Sequence, residues 1–211
     1  PTFSIMVVCI VSMMCPPWGP DDPSVSRAIQ ARAWSAAREA RAEGAAIFPD
    51  GGTHCRPVLD GDLEGALIAA RIIAYAQGFA VLQAASEHFE WSLDLARVAE
   101  IWRAGCIIRS SLLDDIARAI ETGLPHGQLI LAPAFVERLS AGVPALRRVV
   151  GASVHHGLPV PAMSSALSYF DTVRRARGTA DLVQAQRDFF GRHGFQRVDR
   201  DGTGFAGPWA D

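Results

Sequence analysis

The residues of this chain that could support chemistry are mostly cationic. In Ile101-Trp-Arg-Ala-Gly-Cys-Ile-Ile-Arg109, Arg103 and Arg109 bracket a small, apolar turn that brings backbone and guanidinium close together. Further along, Arg187 and His193 would stand about 120° from each other on a continuous helix. They can converge only if the helix stops near Gly191, and a glycine is the residue that allows such a stop. Converged, this arginine and histidine would bind an anion; unconverged, they are ordinary surface groups.

The other groupings have simpler readings. Asp114 and Asp115 are adjacent on a predicted helix, about 100° apart, so they do not converge as an acid/base pair and read as surface or ion-pairing groups. His155 and His156 lie near a helix end, where a cationic side chain is favourable, and no carboxylate or third histidine stands at a ligand spacing from them. Gly202-Thr-Gly204-Phe-Ala-Gly207 matches the GxGxxG pattern of dinucleotide-binding folds. That pattern works by joining a strand to a helix whose N-terminus faces the pyrophosphate, and only Pro208 to Asp211 follow Gly207. It reads as a chance match in a glycine-rich tail.

Composition narrows the function classes. Hydrophobic residues make up 49% and charged residues 20% of 211, enough apolar surface for one large folded domain. A net charge of -2, with arginines scattered among carboxylates, gives no field for nucleic acid or anionic lipid. All 20 basic residues are arginine, and there is no lysine and no asparagine. Arginine offers a planar fork suited to phosphate and carboxylate, whereas only lysine can be tuned by burial into a neutral general base. Cys9, Cys15, Cys55 and Cys106 show no paired spacing and point to reduced thiols in a cytoplasmic protein without structural zinc. The apolar run from Phe3 to Cys15 has no basic residue before it and falls short of the roughly 20 residues a membrane span needs. The chain opens on Pro rather than Met, which suggests a fragment or a processed product.

The elements that must position the cations read as helices throughout. Residues 16 to 24 hold four prolines and form a loop. Helices are predicted over about Ser26 to Ala46, from Asp60 or Asp62 through Leu82, from an N-cap at Ser92 through Trp102, and over about Ser110 to Glu121. Others follow over Pro133 to His155, with Gly142 and Pro144 as a weak point, Pro161 to Arg175, and Thr179 to Arg192. The Asp60 helix has few polar positions and should be central. No strand alternation is visible, so the fold class is all-α. Three regions follow: a divergent apolar segment and Pro-rich loop at 1–25, a helical domain at 26–194, and an extended tail at 195–211. Phe195, Phe205 and Trp209 give the tail apolar groups with which to dock, a neighbouring subunit being one candidate surface.

At these residues the chain resembles the decarboxylating 6-phosphogluconate dehydrogenase family, in its C-terminal all-helical domain. The similarity runs from about Arg71 to Phe195. It is carried by Ile73-Ala-Tyr-Ala-Gln-Gly-Phe79, the Ile101 to Arg109 segment with Ser110, Leu113-Asp-Asp-Ile116 and Met163-Ser-Ser-Ala-Leu-Ser-Tyr-Phe-Asp171. Most clearly it is carried by Asp181-Leu-Val-Gln-Ala-Gln-Arg-Asp-Phe-Phe-Gly191 with His193. The resemblance implies oxidative decarboxylation of 6-phosphogluconate to ribulose 5-phosphate with NADP as hydride acceptor, and no metal. It implies that Arg109 grips the substrate phosphate and that Arg187 and His193 are lent to the site of the other subunit, which makes a homodimer the functional unit.

The departures matter equally. The family's lysine base, its His-Asn partner and its glutamate acid all lie upstream of the matched region, and a chain without Lys or Asn cannot hold the first two in full. The nucleotide-binding domain is also missing, so NADP binding and catalysis would depend on a separate nucleotide-binding domain. Pro1 to Ile5 resembles the family's Gly-Val-Pro segment, after which Met6 to Ser24 intrudes as an insertion, a reading-frame artefact or a real divergence. Ala206 stands where the family commonly has histidine. The expectation is a substrate-binding and dimerisation domain that does not turn over alone. The alternative is a non-catalytic helical module for self-association or partner binding.

Overall fold

The computed structural model describes residues 35–49, 60–105 and 110–209. The apolar run, the Pro-rich loop, all four cysteines and Arg109 therefore lie outside the described residues. Among those described, the chain is built of helices α1 (Arg38–Ile47), α2 (Asp60–His88), α3 (Leu95–Gly105), α4 (Leu112–Thr122), α5 (Pro133–His155), α6 (Pro161–Val173) and α7 (Ala180–Gly191). Two short 3-10 turns, Pro125–Gly127 and Leu129–Leu131, link α4 to α5. Among the described residues the only strand-like pairing is one isolated antiparallel bridge between Phe195 and Phe205. The chain divides into two compact units, Pro1–Tyr169 and Phe170–Asp211, so α7 and the tail belong to one unit.

The first unit is organised around α2, a 29-residue helix. Beside Ala66, Ala69, Ile72, Ile73, Tyr75, Ala76 and Phe79 on one side, Ala70, Gly78 and Leu82 toward the other are also buried, and because together they wrap most of the way round, the helix is central rather than one-sided. By length and composition α2 could cross a membrane, but its apolar surface is used against α5 and the second 3-10 turn. From α5, Phe135, Leu139, Leu146 and Val149 complete this core.

At Gly142 the two helices are in close contact. A Cβ there would lie 2.9 Å from the Gly65 carbonyl oxygen and 3.0 Å from Ala69 Cβ. The predicted weak point is thus a contact point, and α5 runs unbroken through Pro144. Proline in a helix interior forfeits a hydrogen bond, but buried Val143, Ala145 and Leu146 on either side hold the helix in place. Arg148 also donates to both carboxylate oxygens of Asp62, at 3.0 and 2.5 Å, which ties the start of α2 to α5.

The N-cap of α3 differs from expectation. Ser92 has φ of 51° and does not cap; Asp94 Oδ1 accepts the Arg97 N–H at 3.0 Å instead. Asp94 stands directly before the first helical residue, so its side chain reaches the third N–H of the turn, as a cap must. Trp102 of α3 then meets Phe79 of α2 with ring centroids 5.2 Å apart. In α1 no residue is buried, in keeping with its Arg- and Glu-rich sequence.

Candidate functional site

The site residues expected from the sequence fall in different places. Arg109 belongs to the segment 106–109, between the end of α3 and Ser110, and lies outside the described residues. Its companion Arg103 is engaged elsewhere, with Nε 2.8 Å from Asp114 Oδ1. Asp115 pairs with Arg118 of its own helix and, at 2.8 Å, with Arg138 of α5. Partial burial works against ionisation of Asp115, but the hydrogen bonds from Arg138 and Arg118 outweigh it and hold the carboxyl below its ordinary range. The two aspartates are ion-pairing groups that join helices. His155 and His156 touch edge to face, with ring centroids 4.9 Å apart, and no group of three metal-ligating side chains occurs among the described residues.

Arg187 and His193 are brought together in the second unit. Helix α7 stops at Gly191, and Arg192 follows in the left-handed conformation, φ 51° and ψ 40°. That turn sends the chain back on itself. The His193 ring comes to lie over Gly191, so closely that a Cβ at 191 would sit 2.7 Å from His193 Nε2. Arg187, one turn earlier on α7, and His193 thereby line one open depression of about 360 Å³ with Val183, Gln186, Phe190 and Gly191. Both cationic side chains are exposed, and Arg187 Nη1 donates to Gln184 Oε1 at 3.3 Å. Chemically, such a depression offers a planar fork and an imidazole over a glycine floor, a set of donors for an anion.

The residue that sequence reasoning missed is Asp188, whose exposure is 1%. Its Oδ1 accepts the Gly194 N–H at 2.9 Å, and its Oδ2 accepts the Gly207 N–H at 2.8 Å and the Trp209 indole N–H at 2.9 Å. The tail is therefore not free-running. It turns back, closes through paired Phe195 and Phe205 backbone bonds of 2.9 and 3.0 Å, and is fastened to α7 by one carboxylate. The Gly207 N–H contributes most to holding the Asp188 pKa below its ordinary value of 3.8; burial opposes it, and the Gly194 N–H, the Trp209 indole and the charge of Arg192 assist. A signal was present: a helical aspartate followed by a glycine-rich tail whose spare N–H groups need acceptors.

The GxGxxG match also has its structural reading here. Gly204 lets the tail pass close to Gly194, where a Cβ would lie 2.7 Å from Gly204 Cα, and Gly207 lies against the Trp209 ring with no room for a side chain. Since the Gly207 N–H is already spent on Asp188, these glycines do not form a phosphate cradle.

Fold and site together define an all-α domain whose last helix brings an arginine and a histidine into one depression beside a carboxylate-anchored tail. The family described as 6-phosphogluconate dehydrogenase, C-terminal domain, matches residues 18–209, and the chain belongs to that family. The match begins before the motifs that carry the resemblance and takes in part of the segment read as intrusive. Among curated proteins, 6-phosphogluconate dehydrogenase, decarboxylating 1, of Oryza sativa subsp. japonica is 38% identical over 185 residues, 86% of this chain and 38% of that protein. The decarboxylating enzyme of Escherichia coli (strain K12) is 44% identical over 146 residues, 69% of this chain and 31% of its own length. A solved structure of Plasmodium falciparum 6-phosphogluconate dehydrogenase, a protein studied in its apo form, with NADP+ and with 6-phosphogluconate, superposes with a TM-score of 0.78 at 33% identity. It covers 98% of this chain and 44% of the other. The chain thus spans well under half the length of the relatives it matches.

Proposed function

We propose that this chain is the substrate-phosphate-binding and dimer-forming part of a 6-phosphogluconate dehydrogenase, an enzyme that oxidatively decarboxylates 6-phosphogluconate to ribulose 5-phosphate with NADP. The observation that carries this reading is the meeting of Arg187 and His193 in one depression beside Gly191. A guanidinium fork and an imidazole bind a dianionic phosphate better than either does alone. Arg109 is the third member of the set by family resemblance. Exposed Phe189 and Phe190 on α7 supply apolar surface for a homodimer.

With neither lysine nor asparagine in its sequence, the chain by itself lacks the family's proton-transfer machinery. Hydride transfer and proton transfer then require a separate nucleotide-binding domain, which would also hold NADP. The 211-residue protein is expected to show no NADP reduction with 6-phosphogluconate above a heat-killed control. Turnover above that control would overturn this part of the reading.

The binding claim has its own test. At a 6-phosphogluconate concentration of 100 Kd, the ligand should stabilise the wild type by about 2.7 kcal/mol and raise its Tm, with the rise lost in Arg187→Ala and His193→Ala. If no variant and no wild type shifts, the non-catalytic self-association module is the better reading.

A further inference from the structure

We propose that Asp188 is a positioning residue for the anion site: by binding the tail, it sets the His193 imidazole over Gly191 and beside Arg187. The substrate part of this claim rests on the phosphate-binding reading above; the geometric part does not.

His193 is held on both flanks by the same residue. The N–H of Arg192, just before it, donates to the Asp188 main-chain oxygen at 2.8 Å. The N–H of Gly194, just after it, donates to the Asp188 carboxylate at 2.9 Å. Arg192 and Gly194 both have positive φ, 51° and 71°, so the chain makes a tight reversal with His193 at its apex. Left unfastened, such a reversal in an exposed tail would sample many conformations, and an exposed imidazole would follow them. The remaining two acceptor bonds of the carboxylate, to Gly207 and Trp209, clamp the returning strand of the tail behind it.

Asp188 is unsuited to touch the ligand itself. A carboxylate facing a phosphate would repel it, but this one is 1% exposed and its two oxygens face N–H donors. Its chemistry also explains why an aspartate is needed. Every partner is a donor, so both oxygens must accept; an amide would turn an NH2 group toward N–H groups and lose at least one bond. Thus Arg187 and Asp188, adjacent on α7, divide the work, the first meeting the ligand and the second placing its partner.

The test uses the full chain. In wild type, NMR should show contacts between the His193 ring protons and the Gly191 α-protons. In Asp188→Asn these contacts should vanish while the Ile72 and Leu146 methyl signals of the first unit stay unchanged, which shows that the protein still folds. Trp209→Phe, which removes one donor, should weaken the contacts without abolishing them. For 6-phosphogluconate measured by calorimetry, Asp188→Asn should raise Kd about tenfold, the scale of one lost charge-assisted hydrogen bond, and should add nothing in a His193→Ala background. Persistence of the His193–Gly191 contacts in Asp188→Asn, or an equal loss of affinity in both backgrounds, overturns the proposal. If the wild type binds no 6-phosphogluconate, the phosphate reading fails, and the NMR contacts alone decide whether Asp188 positions His193.

Discussion

The crossing of α2 and α5 and the joint between α7 and the tail solve the same problem, holding two segments in fixed register, by opposite means. At the crossing, Gly65, Ala69, Gly142 and Ala145 let two backbones approach until their surfaces touch, with a Cβ at Gly65 only 3.3 Å from that of Ala145. Around that contact Ile72, Phe135 and Leu146 exclude water. At the joint there is little apolar surface to bury: Phe190 is 82% exposed and Val198 78%. Order there comes from hydrogen bonds, the Phe195–Phe205 backbone pair and above all one carboxylate that gathers three N–H groups. Apolar packing is spread over many atoms and tolerates pH, whereas a polar joint concentrates its stability in a few directional bonds that a single change can undo.

If this contrast is right, the largest losses of global stability belong to the first unit. Phe135→Ala, at a fully buried side chain, should cost about 3–5 kcal/mol in urea denaturation, while the Trp209 indole N–H signal keeps its native position under folded conditions. A cost below about 1 kcal/mol would mean that α5 is not part of the main core. Gly142→Val should cost about 1–3 kcal/mol, because the added atoms run into the Gly65 carbonyl and Ala69. Here the informative outcome is the comparison with Gly151→Val on the same helix, where nothing stands within 4 Å of an added Cβ and only helix propensity changes. Equal costs at the two sites would remove the close crossing from the account.

Removing the α3 cap by Asp94→Ala should cost about 1 kcal/mol, and Ser92→Ala much less. The reverse order would restore the serine as the cap. The smallest global effect, but the sharpest local one, belongs to the tail. The pKa of Asp188 is lower in the folded chain than its ordinary 3.8, so its contribution is complete above that value and is lost as pH falls below it toward the folded pKa. The protection of the Gly194 and Gly207 amides, taken relative to the intrinsic exchange rate at each pH, should therefore stay high at neutral pH and fall only in acid, and should be low throughout in Asp188→Asn. A loss of protection already between pH 7 and 5 would point to a different titrating group.

Much of this architecture was legible in the chain. The Pro133 to His155 pattern marked α5 to the residue, and the crowded apolar run after Asp60 marked α2 as central, because helical periodicity reports burial directly. What misled was local chemistry judged without neighbours. Gly142 and Pro144 looked like a weak point, since both disfavour an isolated helix, but α2 rewards the missing side chain at 142. Ser92 looked like a cap because serine is a good one, but only the backbone could say that Asp94 stands at the right position.

The cationic site divides along the same line. From the sequence alone came the identity of Arg187 and His193, the condition that a stop at Gly191 must bring them together, and the family motif in which they stand. Spacing along a chain states which residues could meet. Whether they meet depends on what holds the chain after it turns, and that is decided by Asp188 and the N–H groups of Gly194, Gly207 and Trp209. Hydrogen bonds between residues some twenty positions apart leave no period in a sequence, so only the tertiary structure could reveal that joint.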